Sequence, residues 1–564
     1  HPQAAKDRRN VVLARMAELS YITPAEADKA AAAPLGLKVT KAPNGCATSS
    51  APYFCDFVVH SIENDPAFGK TPQDRVRLLL RGGLTIKTTL EPEVQQAAKQ
   101  AVDKNFPPKD PAGFATAISM VKPGDGAIIA MAQDREWGEA AKGQRGITQI
   151  NYNVDKAFGG GNGFQAGSTF KPFVMAAALQ QGLPLNLRIY SPAKKSIGDV
   201  TTCSGAVLKD DYAPTNDSPY QSGTFTMATG MAESVNTYWL QVEQRIGVCG
   251  PWKVATSMGV TNSDGTPLPQ IKSFGLGVAP VTPLTMAEAY ATFAARGNHC
   301  AAYAITDVVD RAGKHIKPTR TPCQQVLDPA IADAVNQVLA GVIDGPDPRR
   351  TGAQLSLGRP AGGKTGTADD NKEVWFSGYT PEIAAAVWVG DPTGVKHLRD
   401  VVVNGRYISK GFGSTLAGPT WKAAMQAAID KLDLPATPFQ KPDPKVVRGQ
   451  TTQVPDVAGL SASAAAAKIS DAGLAPQVVG RQVDSAQPAG SVAYTSPGAG
   501  STISSGQTVL VYVSDGTPPP PPPAPAPQPT QTVSPLPTAP PPAAGGGPAP
   551  SPTKPGNGNG RKKP

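Results

Sequence analysis

Hydrophobic and polar positions alternate along this chain in blocks that change period several times. Arg81 to Leu90 alternates as a strand, Glu91 to Asn105 has helical spacing, and Phe114–Val121 and Ala127–Ala132 flank Pro123-Gly124-Asp125-Gly126, a hairpin signal. The stretch Ala166-Gly167-Ser168-Thr169-Phe170-Lys171-Pro172-Phe173 reads as a helix start. Gly167 lets the chain turn, Pro172 sits where its missing N–H costs nothing, and Phe173–Leu179 forms an apolar body capped by Gly182. The pattern then predicts a mostly helical run to about residue 300, including Leu284–Ala295, and a further helix over Ala330–Ile343. Strands return at Gly363–Thr367, Glu373–Tyr379 and Ile383–Val389. Strands, then helices, then strands, with no βαβ alternation, predict an antiparallel sheet with helices packed on it, an α+β fold.

The ends differ from this body. Residues 1–37 predict two short helices without a core of their own, the second opening at Thr23-Pro24-Ala25-Glu26, and 38–82 reads as a linker with a helix near Phe57–Asn64. Residues 452–516 form a separate module: Val454-Pro455-Asp456-Val457-Ala458-Gly459-Leu460, a helix over Ser461–Ala472 closed by Gly473, then three short strands. From Thr517 to the basic Arg561-Lys562-Lys563 the chain is Pro-, Ala-, Gly-, Ser- and Thr-rich and cannot bury enough surface to fold.

Composition narrows the function classes. A length of 564 residues corresponds to about three or four domains. No run approaches 18 apolar residues and no export signal is legible; with a helix-like start at His1, the chain reads as a fragment of a longer protein. The net charge of +9 fits a surface that meets anionic polymers or headgroups, and equally plain solubility. Without a basic stripe interleaved with aromatics, nucleic acid is not an expected partner. The six cysteines form no Cys-x-x-Cys, no histidine stands at zinc-ligand spacing, and no metal or cofactor is expected. An even, loosely spread set points to disulfides in an oxidising compartment; sequence order favours Cys46–Cys55, Cys203–Cys249 and Cys300–Cys323, against the alternative of reduced core cysteines.

The candidate chemistry lies in three short motifs. Ser168 and Lys171, three apart, share a helix face about 5–6 Å apart, within reach for an amine to take a hydroxyl proton. Lysine serves as that base only if burial or a nearby cation lowers its pKa. Ser234-Val235-Asn236 follows, then Lys364-Thr365-Gly366-Thr367. Each alone reads as readily as a helix cap or a turn. In this order they resemble the signature of penicillin-binding proteins and serine β-lactamases, and Gly275-Leu276-Gly277, Val281-Thr282-Pro283-Leu284 and Gly362-Gly363 extend the likeness to class A (bifunctional) penicillin-binding proteins over roughly residues 83–430.

That resemblance implies a transpeptidase domain at 83–435, a glycosyltransferase remnant at 1–37 whose activity is missing here, and a PASTA domain at 452–516 that recognises wall material or acts as a spacer. It implies Ser168 as nucleophile on a D-Ala-D-Ala stem peptide and Lys171 as its base. Ser234 would relay the proton, and Asn236 would hold Lys171 and the substrate amide. Lys364 would lower the pKa of Lys171 and attract the substrate carboxylate, which Thr365 and Thr367 would bind. The N–H groups of Ser168 and Thr367 would form the oxyanion hole, and Gly366 would keep the strand clear for substrate. No Glu-x-x-Leu-Asn lies between Asn236 and Lys364, so the resemblance implies an acyl-enzyme that waits for an amine on a neighbouring stem peptide and is blocked by β-lactams. A D,D-carboxypeptidase and a non-catalytic wall receptor are the alternatives. The expected partners are stem peptides, acceptor strands, β-lactams and other wall proteins. The expected setting is outside the cytoplasmic membrane of an actinobacterium, anchored through a segment of the parent.

Overall fold

The structure, a computed structural model, describes residues 2–37 and 45–518. The Pro-rich tail beyond 518 and residues 38–44 of the linker lie outside the described residues, and with them the expectation for the basic C-terminus.

The core is a five-stranded antiparallel sheet. Helix α1 (Pro92–Asn105) precedes strands β1 (Ala115–Val121) and β2 (Ile128–Gln133). Then come helices α2 (Lys171–Gln180), α3 (Met227–Ala232), α4 (Asn236–Ile246), α5 (Pro283–Ala294) and α6 (Pro329–Asp344). Strands β3 (Gly362–Thr367), β4 (Glu373–Tyr379) and β5 (Ala384–Gly390) and helix α7 (Gly418–Lys431) complete it. The spatial order is β3-β4-β5-β1-β2, so the strands that come last in this sheet join those that come first, and β3 is left at an edge.

Both faces of the sheet are covered, which is why β1, β4 and β5 are buried along their whole length and do not alternate. Val94, Ala98 and Val102 of α1 and Trp421 and Met425 of α7 pack with Ile118, Phe376 and Val387 on one face. On the other, Ala117, Trp375 and Trp388 meet the cluster built from α2, α4, α5 and α6. α2 is buried through nine of its ten residues, so it is a central helix with no polar face.

Several expectations need correction. Thr85–Thr88 is a strand, but it pairs with Ile305–Val309 in a satellite sheet. The stretch read as linker contains a second helix, Pro72–Arg81, opened by Thr71, whose side chain accepts from Asp74 N–H. The run before residue 300 is not mostly helical between Ile189 and Phe225. Ile189–Ser191 pairs there with Gly223–Phe225, and Val200–Thr201 with Val207–Leu208. That segment is broken by Pro192, Pro214 and Pro219 and lacks a 3.6-residue apolar period.

The N-terminal helices are Pro2–Glu18 and Pro24–Ala32, the second with the capping box Thr23/Glu26. The C-terminal module has its own small core around Val454, Ala465, Ile469 and Val511, beneath helix Ala462–Asp471. It holds two strands beyond those expected, Thr451–Gln453 and Thr502–Ser504, paired with each other. Disulfides join Cys46 to Cys55, Cys203 to Cys249 and Cys300 to Cys323.

Candidate active site

The three motifs converge where α2, the α3–α4 junction and the edge strand β3 meet. Gly167, at φ 59°, starts a 3-10 turn over Gly167–Phe170 that leads directly into α2. Ser168 thus precedes the α-helix itself, half-buried at the wall of a cleft of about 910 Å³. Its own N–H, at the start of that turn, has no intrahelical acceptor. Lys171, one turn on, is completely buried.

Lys171 Nζ does not hydrogen-bond Ser168. It donates to Ser234 O at 2.7 Å, Ser234 Oγ at 3.1 Å and Asn236 Oδ1 at 2.6 Å. Asn236 is oriented in turn by its amide, which donates to Thr215 O at 2.8 Å. Ser234 sits at φ 58° just beyond α3, a left-handed conformation unusual for a residue with a Cβ. The turn is closed by Val235 N–H donating to Gly230 O at 2.9 Å, and it leaves the Ser234 hydroxyl between two lysines.

The second of these is Lys364 on β3, also fully buried, whose Nζ donates to Ser234 Oγ at 2.8 Å and Thr365 O at 3.0 Å. Burial lowers the pKa of Lys364 to about 7. Lys171 is pushed well below the ordinary lysine value, first by burial, then by the Lys364 charge; Asp217 works weakly the other way. One ammonium and one free amine, joined through a single hydroxyl, satisfy this arrangement better than two cations.

The strand register explains the rest. Gly366 pairs with Trp375 and Thr367 with Val374. Ala368 N–H donates to Glu373 O, so the hydrogen-bonded pairs alternate through Gly366, and the Thr367 N–H points off the sheet edge. The Gly167 turn abuts this point: a Cβ on Gly167 would lie 2.7 Å from Thr367 N. The Ser168 turn and the outward-facing Thr367 N–H thus border the same part of the cleft, the kind of arrangement an oxyanion hole needs. Thr365 and Thr367 line the cleft, and Thr365 Oγ1 donates to Thr351 Oγ1 at 3.1 Å.

Gly366 has a packing reason besides the expected one. A Cβ there would lie 2.3 Å from Ala166 O and 3.0 Å from Thr169 Cγ2. The missing side chain lets β3 press against the nucleophile turn.

Sequence reasoning missed the cleft's outer wall. Arg349 pairs with Glu233 at 2.6 Å, and Lys410 with Asp217 at 2.6 Å, each linking segments far apart in the chain. Nothing local marks these pairs, because they are made by folding. Among the described residues no group of His, Cys, Asp and Glu could hold a metal ion.

Comparison with known proteins matches this geometry. The model of the penicillin binding protein transpeptidase domain matches residues 116–404, and that of the PASTA domain residues 452–515. Penicillin-binding protein 1A of Mycolicibacterium smegmatis is 31% identical over 375 residues, covering 63% of this chain and 43% of that one. The protein of the same name from Mycobacterium tuberculosis is 29% identical over 368 residues, covering 62% and 40%. This chain thus spans less than half the length of these relatives. The solved structure of the PonA1 protein from Mycobacterium tuberculosis in complex with penicillin V superposes with a TM-score of 0.52 at 25% identity, over 65% of this chain and 91% of that one.

Proposed function

The chain belongs to the family of penicillin-binding protein transpeptidase domains, and from that premise we propose that it is a D,D-transpeptidase that crosslinks peptidoglycan stem peptides through an acyl-enzyme on Ser168. The observation that carries the reading is the buried chain Lys171–Ser234–Lys364 beside Ser168. Free Lys171 takes the Ser168 proton as Oγ attacks the carbonyl of the penultimate D-Ala. The Ser168 and Thr367 N–H groups hold the oxyanion. The C–N bond then breaks, and the proton passes from Lys171 through the Ser234 hydroxyl to the departing D-Ala amine. The Lys364 ammonium and the Thr365 and Thr367 hydroxyls hold the terminal carboxylate, and Asn236 fixes Lys171 and the substrate amide.

The fate of the ester decides between crosslinking and hydrolysis. Glu233 and Asp217 on the cleft wall are each held by a cation, and among the described residues no carboxylate hydrogen-bonds Ser168. That favours an ester that waits for an amine. The same reading makes β-lactams long-lived covalent inhibitors. Residues 83–435 form the catalytic unit, 1–37 the end of an upstream glycosyltransferase domain, and 452–516 a wall-facing PASTA domain. The three disulfides support an extracytoplasmic site, with membrane anchorage and protein partners belonging to the longer parent. No helix among the described residues is long and apolar enough to cross a membrane.

Intact mass after incubation with penicillin V is the test. One adduct that persists for hours, absent in Ser168→Ala, is expected; rapid loss of the adduct would favour a hydrolase, and no adduct would leave a binding module.

A further inference from the structure

Glu243 is a carboxyl with no place in this acylation chemistry, and it is fully buried. It lies on α4, the helix that starts at Asn236 of the second motif, and its Oε2 accepts the Gly275 N–H at 2.8 Å. Its Oε1 has no hydrogen-bond partner among the described residues. No cation among them pairs with it, and a buried group of this kind costs stability relative to an apolar side chain of similar size. Burial drives its pKa well above the carboxylate range and so favours the uncharged acid.

What it holds bears on the nucleophile. Gly275 belongs to a 3-10 turn, Phe274–Leu276, wedged between α4 and the Ser168 turn. A Cβ on Gly275 would lie 2.7 Å from Glu243 Oε2 and 2.8 Å from Val174 Cγ2 of α2. The turn ends at Gly277, φ 66°, whose carbonyl accepts the Gly167 N–H at 3.0 Å. A Cβ on Gly277 would lie 2.1 Å from Gly167 O. Phe274 and Phe170 rings meet edge to face at 5.5 Å. Contact is therefore continuous from the helix carrying the second motif to the residue before Ser168.

We propose that Glu243 is a positioning residue for Ser168: by holding the Gly275–Gly277 turn it fixes the backbone at Gly167, and so the placement of the Ser168 hydroxyl relative to Lys171 and Ser234. The proposal rests on the reading of Ser168 as the acylated nucleophile. The acceptor oxygen and its reach matter here, and the negative charge does not. Three substitutions separate these properties. Glu243→Gln keeps both the acceptor and its reach, Glu243→Asp is one methylene too short, and Glu243→Leu offers no acceptor.

The experiment measures acylation by penicillin V over a range of concentrations, separating the rate at saturation from the affinity of the non-covalent complex, with thermal melting of each variant alongside. Glu243→Leu and Glu243→Asp are expected to lower the saturated rate roughly 10- to 100-fold, the scale of a misplaced reacting group, with affinity little changed. Glu243→Gln is expected to acylate near the wild-type rate. A Leu variant as fast as wild type, a Gln variant as slow as Leu, or rates that merely follow melting temperature would overturn the proposal. If Glu243→Leu does not fold, the Gln and Asp variants decide: any order other than fast Gln and slow Asp is contrary. A wild-type chain that takes no adduct would instead sink the reading of Ser168 itself, and the proposal with it.

Discussion

Lys171 and Lys364 are both sealed from solvent, share one hydroxyl, and need opposite charge states for the proposed chemistry. Acylation requires Lys171 without its proton and Lys364 with it. The rate with penicillin V should therefore rise with pH through the depressed pKa of Lys171. It should fall again as Lys364 loses its proton near pH 7. A carboxylate bound against Lys364 stabilises the ammonium, so the alkaline limb should lie higher for the saturated rate than for kcat/KM. Asp217 holds the Lys171 pKa up; Asp217→Asn should move the acid limb to lower pH, and an unmoved limb would assign that limb to another group. Linkage gives the stability counterpart. Between about 7 and 10.5 the unfolded chain keeps a proton on Lys364 that the folded chain has lost, so stability rises with pH across that window. Lys364→Met should flatten that rise and stabilise the protein at neutral pH by about 1 kcal/mol, while abolishing efficient acylation. At this scale the sequence was most legible: Ser168, Lys171, Ser234, Asn236 and Lys364 are recognisable as motifs, and folding brings all five together. Glu233, Arg349, Asp217 and Lys410 were not, since an ion pair between distant loops leaves no local pattern.

At the scale of elements, glycine and one left-handed serine decide how closely the motif-bearing segments approach. Gly366 lets β3 lie against the Ala166–Thr169 turn, and Ser234 at φ 58° aims its hydroxyl between the lysines. Gly366→Ala should destabilise the domain by about 1–3 kcal/mol, the usual range for overpacking, and slow acylation by parting the strand from the turn. Denaturant melts and adduct kinetics would check both; a folded variant with unchanged stability and kinetics would contradict this packing role. The α1, β1, β2, α5 and α6 boundaries fell within a residue or two of the sequence pattern, because long periodic segments carry their own signal. The Ile189–Phe225 stretch did not, because its two- and three-residue strands are fixed by tertiary pairing.

For the whole molecule, the sheet is built from both ends of the domain. Cys203–Cys249 closes the longest of the three disulfide loops, with a sequence separation of 46. Loop-closure entropy gives that bond a worth of about 4 kcal/mol at most. A Cys203→Ser, Cys249→Ser variant should lose stability on that scale in denaturant melts. The C-terminal module rests on the segment after α2 and the end of α4: Arg245 of α4 donates to Gly506 O, and Gly506 packs beside Leu183 and Leu187. Its fold was visible in sequence, but this docking surface was not, because each contributing segment reads as an ordinary loop.

The most direct measurement is the partition of the acyl-enzyme: the chain is given a D-Ala-D-Ala-ended stem peptide with and without an amine-bearing acceptor peptide, and the products are weighed by mass spectrometry. Crosslinked dimer in the presence of the acceptor, with little hydrolysed donor in its absence and neither product from Ser168→Ala, is the predicted result. Donor hydrolysis at the same rate with or without acceptor, and no dimer, would contradict the account and make this a carboxypeptidase.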